Sequence, residues 1–96
     1  MVISSKLESR VSQLRDIILD IMGTDPLAQG RKRDLVTART ILACGLYAEG
    51  FTETDIGLAL RKNHSTVNWY RKRGNQFSMP GWEAEMELWE KFKQKK

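Results

Sequence analysis

The residues with the most chemistry to offer stand together: Arg61-Lys62-Asn63-His64-Ser65-Thr66-Val67-Asn68-Trp69-Tyr70-Arg71-Lys72-Arg73. Asn63, His64, Ser65 and Thr66 carry amide, imidazole and hydroxyl groups that can pair with the edges of bases. Basic residues flank them, Arg61 and Lys62 before and Arg71, Lys72 and Arg73 after. Cations so placed suit phosphate oxygens, which fix register while the polar residues between them read sequence. A second basic cluster, Arg31-Lys32-Arg33, precedes Arg39. The plainer reading of both clusters is a solvated face.

Other chemistries are poorly served. One cysteine, Cys44, makes no internal disulfide, and with one histidine the usual Cys/His zinc site is excluded. A Cys44/His64 nucleophile pair is conceivable, but a mid-helix cysteine on an apolar side is usually a buried, inert thiol. Asp16/Asp20 and Glu83/Glu87 are acidic pairs at helical spacing and read as solvated faces. No acid, base and nucleophile come together, so the expectation is no enzyme, no catalytic residue, no cofactor and no metal.

Ninety-six residues make one small domain, 1–96. No run of 18 apolar residues exists, and the first residues lack a secretory leader pattern. The expected setting is therefore cytoplasmic, and for a nucleic-acid binder nucleoid-associated. Net charge is +4 and is unevenly spread. Residues 31–73 hold nine basic and four acidic residues, while the two ends together hold seven and eight. A segregated basic centre suits a polyanion.

The elements that must position these residues read as helices. Period-2 alternation and hairpin turns are missing, and helical periodicity recurs in five places. A first helix runs from Lys6 to about Met22, with Ser5 as cap, Glu8 reaching back, and Gly23 and Asp25-Pro26 as the stop. Its stripe is Leu7, Val11, Leu14, Ile18 and Ile21. A second starts near Asp34 and ends before Gly50, with Leu35, Ala38, Leu42, Cys44, Gly45 and Leu46 inward. A third, about eight residues long, starts at Thr52 with a capping box closed by Asp55. A fourth is capped by Asn63 or His64 and ended by Gly74. It turns Val67 and Tyr70 inward and Ser65, Thr66, Asn68 and Trp69 outward. A fifth starts near Pro80, with a Trp82/Met86/Trp89 stripe. The expected fold is all-α, a compact bundle of about five helices. The pair at about 52–73 fits a helix-turn-helix, whose second helix is narrow enough to enter a major groove.

Three segments carry a family resemblance: Arg31-Lys32-Arg33-Asp34-Leu35-Val36-Thr37-Ala38-Arg39, Asp55-Ile56-Gly57 and Asn63-His64-Ser65-Thr66-Val67. Over roughly residues 14–73 the chain resembles the C-terminal DNA-binding domain of the chromosomal replication initiator DnaA. The resemblance implies that Arg31, beside Lys32, enters a minor groove and that Arg33 and Arg39 hold phosphates. It implies that Asn63, His64 and Ser65 read bases, that Thr66 holds a phosphate, and that Glu53 and Thr54 touch the backbone.

The chain also departs from that pattern. Asn63 replaces the family's Asp and would favour adenine over the amino group of cytosine. The Arg61-Lys62 turn is one residue shorter, and Glu53 puts an acid where backbone is touched. No Gly-x-x-x-x-Gly-Lys-Ser/Thr loop is present, so the initiator's ATP-driven assembly is not expected of this polypeptide by itself.

The expected partner is double-stranded DNA, in replication or transcription control. Its contacts would come from Arg31, Lys32, Arg33, Arg39, Thr54, Lys62, Asn63, His64, Ser65, Thr66, Asn68, Trp69, Arg71 and Lys72. The alternative is a protein-interaction module of the same fold that has lost specific DNA binding. The apolar stripes of the first and fifth helices offer a homodimer or protein contact if either exceeds what the core needs.

Overall fold

The fold is organised around the one helix that has no polar face. In the computed structural model, which describes residues 4–96, five helices run α1 Ser5–Met22, α2 Arg33–Ala48, α3 Glu53–Leu60, α4 His64–Asn75 and α5 Glu83–Lys95. A 3-10 turn, Gln76–Ser78, links the last two. The described residues contain no strand, and the architecture is all-α. None of these helices is long and apolar enough to cross a membrane.

Residues 37–43 of α2 are buried without a break, so every face of its middle is covered. A helix of that kind sits at the centre of a bundle, and α1, α3, α4 and α5 all pack on it. The apolar spacing predicts only one inward side. The wider burial rests on small residues and on Thr40, whose hydroxyl donates to the Val36 carbonyl at 2.8 Å. Two glycines let neighbours approach closely. A Cβ on Gly45 would lie 2.7 Å from the Phe92 ring of α5, and one on Gly74 of α4 would run into the Cys44 sulfur.

Leu7, Val11, Leu14 and Ile18 of α1 join Ile56, Leu60, Val67, Tyr70, Phe77 and Phe92 in one core. Leu7, Val11, Leu14 and Ile18 of the α1 stripe are thus covered by the chain's own core, with Ile21 half-buried against it. Trp82, Met86 and Trp89 are half-buried against the same core.

Three boundaries differ from the sequence reading. Ser4, not Ser5, caps α1, accepting from the Leu7 amide at 3.2 Å. Either of two adjacent serines satisfies the local capping rule. Helix α4 passes through Gly74 to Asn75, because that glycine provides room for α2 rather than a stop. Helix α5 begins at Glu83 because Gly81, at φ 93°, breaks helical geometry after Pro80. Gly23 does end α1, at φ 68° with its amide on the Leu19 carbonyl.

Ion pairs tie the chain ends to the bundle. Arg10 of α1 makes a fork to Glu49 at 2.6 and 2.8 Å, and Lys96 reaches the same carboxylate at 3.3 Å. Arg15 grips Asp25 with two bonds, at 2.8 and 2.5 Å, while Asp25 accepts from the Leu27 amide. The Arg15 guanidinium holds the Asp25 carboxyl below the usual carboxylate range. A carboxyl with a depressed pKa contributes stability above its unfolded pKa of about 3.9 and loses it as the pH falls through the folded value. Asp25→Asn is therefore expected to lower the melting temperature at pH 7 and to flatten its decline below pH ~4. Thermal melts of both proteins across that range check it.

Candidate nucleic-acid interface

Local rules build the α3-turn-α4 unit, and one close contact sets its angle. Thr52 and Asp55 form a reciprocal capping box at the start of α3, with bonds of 3.1 and 3.2 Å. At its end the Lys62 amide donates to the Gly57 carbonyl at 2.9 Å, and the Arg61 amide to Leu58 at 3.4 Å. This is the Schellman arrangement, with Arg61 rather than glycine in the left-handed position, φ 57°. The chain then folds back so closely that a Cβ on Gly57 would lie 2.6 Å from the Lys62 carbonyl oxygen. Nothing larger than glycine fits under the turn.

Asn63 caps α4. Its Oδ1 accepts from the Thr66 amide at 2.9 Å and the Thr66 hydroxyl at 3.0 Å. Both lone pairs of that oxygen are therefore in use. Bidentate pairing with adenine needs the same oxygen, so in this arrangement Asn63 serves as the cap of α4. The Thr66 hydroxyl proton, expected on a phosphate, is held by Asn63 instead. His64 and Ser65 carry no such duty and are exposed on the first turn. Behind Ser65 at helical spacing come Asn68, Trp69 and Lys72, all exposed, with Trp69 52% accessible. Val67 and Tyr70 point into the core.

The arginines divide into two groups. Arg39 is buried, and its nitrogens donate to the carbonyls of Pro26, Ala28 and Gly30 at 3.3, 2.5 and 3.0 Å. It clamps the loop ahead of Arg31, which corrects the phosphate role expected of it. Arg71 lies 3.2 Å from Glu53 and 3.4 Å above the centre of the Tyr47 ring. That contact joins α4 to α3 and to the end of α2. Glu53 is accordingly a partner for Arg71. Arg33 is largely exposed but 3.6 Å from Glu85, a buried carboxylate on α5. Arg73 lies over Trp82 at 4.9 Å and Trp69 at 5.7 Å.

Among the described residues, Arg31, Lys32, Arg61, Lys62 and Lys72 are exposed and make no ion pair. Thr54 is exposed on the first turn of α3. The structure thus gathers Thr54, Arg61, Lys62, His64, Ser65, Asn68, Trp69 and Lys72 on the α3-turn-α4 unit. Arg61 was legible as part of the basic turn. The approach of Arg73 to Trp69 follows from their i, i+4 spacing on α4, whereas its contact with Trp82 has no signal in local spacing.

Burial pushes the Cys44 thiol up to about 11, with Arg71 opposing weakly, so it stays protonated at neutral pH. No cluster of three or more His, Cys, Asp or Glu side chains able to hold a metal occurs among the described residues. A concavity of about 600 Å3 lies between Phe77, Met79, Pro80 and Met86 and does not include the α4 tip. Comparison with family models, curated proteins and solved structures finds no match.

Two substitution pairs test this construction. Gly57→Ala is expected to cost about 2 kcal/mol through overlap with the Lys62 carbonyl. Arg61→Gly is expected to gain about 1 kcal/mol by relieving the left-handed backbone, a rise of roughly 4–8 °C in Tm. Asn63→Ala should cost about 1 kcal/mol, whereas Asn63→Asp should keep the cap. Chemical denaturation with a common slope measures all four.

Proposed function

We propose that this protein binds double-stranded DNA sequence-specifically, with α4 in the major groove and the Arg31-Lys32-Arg33 loop in the neighbouring minor groove. The observation that carries the reading is the exposed face of α4. His64 and Ser65 stand at its tip, with Asn68, Trp69 and Lys72 behind them and Arg61 and Lys62 beside them in the turn. A helix with small polar groups at its N-terminal end and cations at its margins meets what groove reading requires.

The basic loop lies away from the reading tip. Arg33 reaches Glu85 on α5, and Trp82, just before α5, lies under Arg73 near the end of α4. The loop therefore sits on the side of the molecule where α4 ends, while the reading tip is where α4 begins. Twelve residues of helix span about 18 Å. The resemblance to the replication initiator's DNA-binding domain points the same way and suggests replication or transcription control as the setting.

Base reading falls to His64, Ser65 and Asn68. Neutralisation of phosphates falls to Arg31, Lys32, Arg61, Lys62 and Lys72, with Arg33 able to share its remaining donors. Selection from a random duplex pool, followed by binding to the selected site, tests this. His64→Ala or Ser65→Ala should cost about 1–3 kcal/mol and relax the preference at one position. Lys72→Ala should weaken all duplexes alike and lower the salt slope by about 1. Absence of any preferred sequence at moderate salt overturns the reading and leaves a protein-docking role for the same surface.

A further inference from the structure

On the proposed reading face, one side chain is of a different kind from its neighbours. Ser65, Asn68 and Lys72 are polar, whereas Trp69 offers an indole ring that is 52% exposed. The core does not require it, since α4 already contributes Val67 and Tyr70. The ring is nonetheless held in place. It meets the buried Tyr70 edge-on, with centroids 5.5 Å apart, and the Arg73 guanidinium stands 5.7 Å from its centre. Arg73 is in turn anchored over Trp82 at 4.9 Å. A fixed, half-exposed aromatic surface flanked by hydrogen-bonding residues is preorganised for an apolar target within a polar one.

The floor of a major groove contains one apolar feature, the methyl group at C5 of thymine. Cytosine carries the same group only when it is methylated. Trp69 lies one helical turn behind Ser65, so it would face the base step next to the one that Ser65 reads. Its indole has a single N–H donor and no acceptor, so the face of the ring, unlike its edge, offers no hydrogen bond and suits an apolar contact. We infer that Trp69 recognises a 5-methylpyrimidine in the bound duplex, thymine in unmodified DNA, by covering its methyl group. The inference rests on the duplex-binding reading and adds to it a residue that sets specificity.

The test uses the full chain and its selected duplex. Each thymine is replaced in turn by deoxyuridine, which removes only the methyl group. The wild-type protein should lose about three- to tenfold in affinity at one position. Trp69→Ala should bind the thymine and uracil duplexes equally, and Trp69→Phe should keep part of the difference. Placing cytosine or 5-methylcytosine at that position separates the methyl group from the rest of the base. Recovery of binding by 5-methylcytosine supports methyl recognition; equal binding of the two forms assigns the preference to other thymine atoms and overturns it. Specific binding that is indifferent to uracil everywhere also overturns the role of Trp69 while leaving DNA binding intact. A selected site that demands no thymine near the Ser65 contact does the same. Loss of all sequence preference by the wild-type protein removes both proposals together.

Discussion

The contact between Gly57 and the Lys62 carbonyl fixes more of this molecule's outward face than any other. A backbone oxygen lies where a side chain would begin, 2.6 Å from an ideal Cβ. Because the chain passes so close, Lys62 can bond back to the Gly57 carbonyl, α3 can end in a left-handed residue, and Asn63 can start α4 at once. The angle between the two helices follows from this packing, and with it the direction in which His64 and Ser65 point. The buried Ile56, Leu60, Val67 and Tyr70 then lock the pair onto α2.

The cations show how a basic chain distributes its charge. Arg39 uses three nitrogens on loop carbonyls, and bonds of this type, with one charged partner, are worth about 1.5–3 kcal/mol each. Arg71 serves packing, lying flat on Tyr47 with Glu53 beside it. Such a half-exposed pair contributes at most about 1 kcal/mol as charge, so its main effect is to orient α4 against α2 and α3. Among the described residues Arg33 is the only ion-pair partner of Glu85, and one oxygen of that buried carboxylate has no hydrogen-bond partner there. Exposed cations without an ion pair include those of the turn, the loop and the outer face of α4, and also Lys6 on α1. Charge in the sequence marks the right half of the chain, but only some of it is presented to a partner.

The limits of sequence reading here are specific. Helix number, the Thr52–Asp55 box, the Asn63 cap and the Gly23 stop obey rules that act within four residues, so local sequence specifies them. The α1 and α4 inward faces follow from periodicity. Gly74 illustrates the opposite case. A glycine near a helix end reads as a stop, yet it serves contact with Cys44 and Thr40, some 30 residues away in sequence. Arg39, Arg71 and Asn63 illustrate a related case. A side chain able to bind a polyanion can equally bind a carbonyl, a ring or its own helix, and the partner it finds depends on what folding brings near.

By itself the sequence determined the all-α class, the helix-turn-helix placement, the basic middle and the exposure of His64 and Ser65. These depend on periodicity, capping and composition, which are properties of neighbouring residues. Tertiary structure decided that α2 is covered on every side, that the α1 stripe packs into the core, and which cations and polar groups stay available at the surface. Those outcomes depend on distances between residues far apart in the chain, and only the packing of helix against helix sets them.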